Sequence, residues 1–210
     1  MRRVERWKST RRKAIGAGHM ATTSTKSPAV TVDQYERMID AGTIGEDDPV
    51  ELIEGQLVSK MTKKPDHMSS SGRARRAIER VLPSGWHVRI EGPVRIPSRD
   101  SEPEPDLAVV RGEIDDYEDR HPDPGDVALV VEIAKSSLAE DSKLAETYGG
   151  GRIPIYWIVN LVHRQLEVYA WPTDGRYPSP TILKENDLVD LILDDQVVAQ
   201  IRVSDLLPRR

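Results

Sequence analysis

Between residues 127 and 133 the chain reads Val-Ala-Leu-Val-Val-Glu-Ile, and no other stretch limits the possible folds as much. A run this short, rich in β-branched residues and free of polar alternation, is the pattern of a strand covered on both faces. Its single interruption is Glu132. A second apolar run, Leu107 to Val110, is preceded directly by Pro105-Asp106. Burying an ionised carboxylate costs several kcal/mol unless it is paired, hydrogen-bonded or bound to a metal. Asp106 and Glu132 therefore each need a partner, and any fold for this chain has to supply one.

The segments around this pair read as a sheet with helices beside it. Thr31 and Gln34 form a capping box for a helix that sets Val32, Tyr35, Met38 and Ile39 on one face and stops at Gly42. Residues 50–54 and 56–61 read as a hairpin turning near Gly55. The next helix is expected from Asp66, as its N-cap, to Leu82. It has Ala74, Ala77, Ile78, Val81 and Leu82 on an apolar side and Arg73, Arg75, Arg76 and Arg80 on a solvated one. Strands are expected at 86–91 and 94–96, then the two apolar runs, then a helix over 137–148 ended by three glycines. A buried strand at 153–159 pairs as a hairpin with 165–171, and shorter strands fall around 181–183, 188–193 and 197–203. This order predicts an α/β (α+β) fold in one domain over 31–207. Tyr148, Tyr156 and Trp157 read as core.

Charge and composition narrow the function classes. The 210 residues include no cysteine, which removes disulfides, thiolate metal sites and cysteine nucleophiles. No run approaches the ~18 apolar residues of a membrane span, and no apolar segment follows the basic start as in a secretory signal, so a cytoplasmic location without membrane contact is expected. Residues 1–28 hold eight Lys/Arg against the one acid Glu5, while the whole chain carries a formal −5, so the body is strongly acidic. Residues 1–30 read as a disordered basic tail, a tag or an upstream extension. An acidic body counts against tight binding to a nucleic acid unless a divalent cation offsets the charge.

Metal-assisted cleavage of a phosphodiester needs two or three oxygen ligands converging on Mg²⁺, with the remaining positions kept for water and phosphate. It also needs a cation near the attacking water. Asp106 and Glu132 offer the oxygens, and Lys143 is the nearest downstream cation on the helix that follows.

Several motifs occur together in one order: Glu51-Leu52-Ile53-Glu54-Gly55-Gln56, His67, Pro105-Asp106, Val131-Glu132-Ile133, Ser136 to Lys143, and Ile153-Pro154-Ile155-Tyr156-Trp157-Ile158-Val159. In that order and spacing the chain resembles the Uma-two family of restriction-endonuclease-like proteins, within the PD-(D/E)XK nuclease superfamily. The resemblance covers about residues 31–207. It implies a central mixed β-sheet flanked by helices, with Asp106 and Glu132 as ligands of Mg²⁺ or Mn²⁺, and DNA as substrate. The superfamily lysine falls two residues after the acid, on the same strand face. Here that position is Ala134, and Lys135, one further on, points to the opposite face. The resemblance also implies an Asp closely followed by Lys on the next helix, matched by Asp141 and Lys143, so the water-orienting cation is expected at Lys143, with Lys135 second.

Other candidates keep two readings. Glu54 is an exposed turn acid or, with Glu51, a further acid of the site. His67 is a polar residue of a helix start, a phosphate contact or a base. A homodimer is expected, because cutting two strands with one site per chain suits two-fold symmetry. Two other readings compete with the endonuclease: a weak or inactive nuclease-fold module that binds nucleic acid or protein, and a structural pairing of the two acids with Arg89 or Arg95. Two crowded carboxylates also predict that Asp106→Ala leaves stability intact or raises it.

Overall fold

The computed structural model describes residues 29–45, 48–60, 62–135 and 137–209, so nearly all of the expected basic tail lies outside the described residues. The helices are α1 (Val32–Asp40), α2 (Pro65–Glu79), α3 (Leu138–Gly150) and the single turn α4 (Val203–Leu206). The strands are β1 (Val50–Ile53), β2 (Gln56–Ser59), β3 (Trp86–Ile90), β4 (Leu107–Arg111), β5 (Val127–Ala134), β6 (Ile155–Asn160), β7 (Gln165–Ala170), β8 (Thr181–Lys184), β9 (Leu188–Leu193) and β10 (Gln196–Arg202).

Six strands form one sheet in the order β3-β4-β5-β6-β7-β8. Only β5 and β6 run parallel; the other neighbours are antiparallel. A parallel pair requires a crossover, and α3 supplies it. The hairpins β1-β2 and β9-β10 stand apart as two-stranded sheets.

The unbroken apolar runs are explained by cover on both faces. Every residue of β5 and β6 is buried. On one face Leu129, Val131, Ile133, Trp157 and Val159 pack with Ala74, Ala77 and Ile78 of α2 and with Leu191 and Leu206. On the other, Ala108, Val110, Val130, Ala134, Tyr156 and Ile158 pack with Ala145 and Tyr148 of α3. A third cluster joins Val32 and Tyr35 of α1 to Ile44 and Leu52.

The α1 capping box forms as expected, with Thr31 Oγ1 accepting from the Gln34 N–H and Gln34 Oε1 accepting from the Thr31 N–H. Ile39, expected on the buried face, is exposed. Helix α2 begins at Pro65, which occupies the first helical position, so Asp66 lies inside the first turn instead of capping it. Arg73 is half-buried and donates to the Ser204 carbonyl, whereas Arg75, Arg76 and Arg80 are solvated as expected. No strand forms at 94–96. Pro93 and Pro97 bracket that segment and remove ladder donors, and only an isolated bridge from Ile96 to Ser101 is present.

Candidate active site

The β4-β5 register pairs Ala108 with Val130 and Leu107 with Val131, and one further step sets Asp106 against Glu132. Because side chains alternate along a strand, Glu132 shares the α3 face with Val130 and Ala134. The Asp106 N–H donates to Glu132 Oε2 at 3.2 Å, and the Ile133 N–H donates to Asp106 Oδ2 at 2.8 Å. From α3, the Tyr148 hydroxyl donates to Glu132 Oε1 at 3.1 Å. Both carboxylates are therefore held by the backbone of the opposite strand.

Two basic side chains reach Asp106. Lys63 Nζ, from the coil between β2 and α2, lies 2.9 Å from Asp106 Oδ1 and 2.9 Å from Glu91 Oε1. His67 Nε2, in the first turn of α2, lies 3.0 Å from Asp106 Oδ2. Burial pushes the Asp106 carboxyl up, but the His67 hydrogen bond and the Lys63 charge outweigh it and hold the group below its ordinary value. Lys63 is likewise opposed by burial, yet its attraction to Asp106 raises its pKa. Glu132 has no such help. Burial first, then repulsion from Asp106 and Asp141, drives it well above the usual carboxylate range. Asp141 is raised to about 6, chiefly by burial, although the Ser137 hydroxyl donates to it at 2.7 Å.

These groups line one open cleft of about 540 Å³. Glu51 joins them on the β1 side, with its pKa raised by burial and its Oε2 accepting from the Glu104 N–H. Lys60, Lys64 and Lys135 stand on the wall, Lys60 paired with Glu104 and Lys135 with Asp66. Buried acids thus occupy the floor, and the rim carries lysines together with exposed acids such as Glu91 and Glu140.

The structure brings together Asp106, Glu132, Asp141 and His67, with Lys135 at the edge. It does not bring Lys143. Two residues along an α-helix turn the side chain by about 200°. With Asp141 facing the sheet, Lys143 faces solvent and is absent from the cleft wall. Glu54 is also elsewhere. It occupies a two-residue β1-β2 turn with φ of 49°, followed by Gly55 at 72°, and its carboxylate binds Arg99 and Thr147. It docks the hairpin onto α3, and Glu51, three residues earlier, is the acid that enters the cleft. Ala134 lies on the Glu132 face, and Lys135 points to the α2 side, as the alternation predicts.

Arg89 and Arg95 do not pair with the two acids. Arg95 binds Asp33 and Glu36, and Arg89 lies over the Tyr117 ring. Sequence reasoning missed Lys63 and Glu91, and it treated Tyr148 as core only. Lys63 carries no periodic signal; its one clue is its place just before a helix whose first turn faces the site.

Among the described residues no group of three or more His, Asp or Glu side chains is gathered as a ready metal centre. Mg²⁺ asks for less, because it commonly takes one or two carboxylates and completes its shell with water and phosphate. The all-oxygen pair of Asp106 and Glu132 fits such a hard cation.

The acid pair thus lies on neighbouring strands of a six-stranded mixed sheet with flanking helices. The family model described as Putative restriction endonuclease (Uma2) matches residues 32–201, and the chain belongs to that family. The structure is similar to the crystal structure of a putative nuclease belonging to DUF820 from Anabaena variabilis, with a TM-score of 0.65 and 17% sequence identity. That match covers 84% of this chain and 97% of the neighbour, and it shows the shared fold. No match was found among curated proteins. Among the described residues no helix is long and apolar enough to cross a membrane.

Proposed function

We propose that the chain hydrolyses DNA phosphodiester bonds in this cleft, with Asp106 and Glu132 as the ligands of a Mg²⁺ or Mn²⁺ ion. The observation that carries the reading is the opposition of these two acids across β4 and β5, on a cleft that also holds Lys63 and His67. When bound, the ion supplies charge that stabilises the developing negative charge on the phosphate and lowers the pKa of a bound water.

The chain's own groups do the rest. Asp106 stays ionised because His67, Lys63 and the Ile133 N–H all favour its charged form. Tyr148 and the Asp106 N–H fix the orientation of Glu132, which must give up its proton before it can act as a ligand. Lys63 takes the role expected of Lys143, placing an ammonium group beside the acid pair where the attacked phosphate and water would sit. Lys60, Lys64 and Lys135 suit contacts to backbone phosphates, which position a duplex without reading its sequence. One such site cuts one strand, so scission of both strands needs two copies, and a homodimer is part of this proposal.

Nicking of supercoiled plasmid tests the reading. The wild-type chain is expected to nick with Mg²⁺ or Mn²⁺ and not with chelator, and Asp106→Asn and Glu132→Gln to abolish the activity. Plasmid binding without nicking under any divalent cation would replace the enzyme by a nuclease-fold binding module.

A further inference from the structure

The Lys63 ammonium group lies between two unlike carboxylates. Asp106 is buried, whereas the Glu91 side chain is 43% exposed at the mouth of the same cleft. Oδ2 of Asp106 is committed to the Ile133 N–H and to His67. Oδ1 is thus the oxygen of Asp106 through which a further cation would bind, and Lys63 holds it at 2.9 Å. An ammonium and a divalent cation repel strongly at such separations in a partly buried site, so they are alternative partners of that oxygen.

We propose that Lys63 is the resident counter-ion of Asp106, and that a divalent cation binding there displaces its ammonium group onto Glu91. This deepens the metal reading given above and rests on it. The second carboxylate is built into place: Glu91 has φ of 48°, a left-handed conformation that residues other than glycine seldom adopt, and its N–H donates to the Asp106 carbonyl at 3.3 Å. The turn after β3 thereby keeps Glu91 at a fixed offset from Asp106. The Lys63 side chain is 30% exposed and already touches both acids, so the shift needs only a small change of its flexible stem. The displaced ammonium stays in the cleft, next to the position of the phosphate. Metal affinity is set in part by this competition.

Calorimetric titration with Mn²⁺ of the full-length protein separates the outcomes. Lys63→Met keeps the stem and removes the competing charge, and it is expected to bind Mn²⁺ about tenfold more tightly than wild type, while nicking falls. Glu91→Gln removes the alternative seat, and it is expected to weaken Mn²⁺ binding several-fold in the wild type and to have no effect in the Lys63→Met background. Glu91 is exposed, so this second variant tests the idea even if Lys63→Met folds poorly. Lys63→Met binding Mn²⁺ no more tightly than wild type, or Glu91→Gln leaving wild-type affinity unchanged, overturns the counter-ion role. No Mn²⁺ binding by the wild type or either variant overturns the metal reading itself.

Discussion

Glu102 and Asp106 lie four residues apart on the extended stretch leading into β4, at 2% and 4% exposure, and their acidities move in opposite directions. Asp106 is held below its ordinary value against the cost of burial, by His67 and Lys63. Glu102 is pushed up to about 7 by burial and then by Glu36, and the charge of Arg95, whose guanidinium hydrogen-bonds Asp33 and Glu36, opposes this without cancelling it. One oxygen of Glu102 has no hydrogen-bond partner, and its other neighbour, His121, is 3.7 Å away. Glu102 belongs to the packing of the β1-β2 hairpin, where its N–H donates to the Leu52 carbonyl. Burial alone does not mark a working acid. What sets Asp106 apart is its place on the wall of a cleft, with His67 and Lys63 beside it to favour its charged form.

The largest effect is expected at Asp106. Asp106→Ala strands Lys63, His67 and the Ile133 N–H, so it should cost about 2–4 kcal/mol in denaturant unfolding and more than about 100-fold in nicking rate. This reverses the expectation from crowding alone, since the structure gives Asp106 partners that crowding arguments ignore. Unchanged stability in Asp106→Ala would erase the contrast with Glu102.

Glu132 is where relief of repulsion applies. In Glu132→Gln the amide oxygen can accept the Asp106 N–H and the amide nitrogen can donate to Tyr148, while the cost of burying a carboxyl group that ionises in water disappears. At pH 8 and without metal, the melting temperature should rise by about 2–4 °C while nicking is lost. A fall would mean that Glu132 is stabilised as an anion.

The two acids also predict opposite pH slopes. Glu102 has a folded pKa above its unfolded value of 4.5, so it favours the folded state fully below about pH 4.5 and progressively less as pH rises through about 7. Asp106, lowered from 3.8, contributes stability above that value and loses it as pH falls through its folded pKa. Glu102→Gln should therefore flatten the decline in stability between pH 4.5 and 7 that the wild type shows. An unchanged slope would assign that decline to other groups. The smallest effect is expected at Lys143, where Lys143→Ala should change nicking and stability by less than about twofold and about 0.5 kcal/mol, because the side chain lies on the solvent face of α3.

Much of this was legible in the sequence. Glu132 inside an aliphatic run and Asp106 at the start of another announced themselves through the cost of burial, and the Thr31 capping box and the doubly covered β5 were readable from local pattern. The direction of Lys143 was also readable, since a residue two places after an inward Asp141 has to point away. Lys63 was not, because a coil lysine 43 positions before its carboxylate leaves no periodic trace and acquires its role only when β2 and α2 are folded against the sheet. Glu54 misled because its turn conformation, and hence its direction toward Arg99, depends on how the hairpin docks.

The central claim, that Asp106 and Glu132 form one divalent-cation site, is tested most directly by anomalous scattering from crystals soaked in Mn²⁺. A single strong peak is expected within bonding reach of both carboxylates, with the Lys63 ammonium group moved off Asp106. Crystals with no peak in the cleft at millimolar Mn²⁺, or with peaks only on the rim carboxylates, would contradict it.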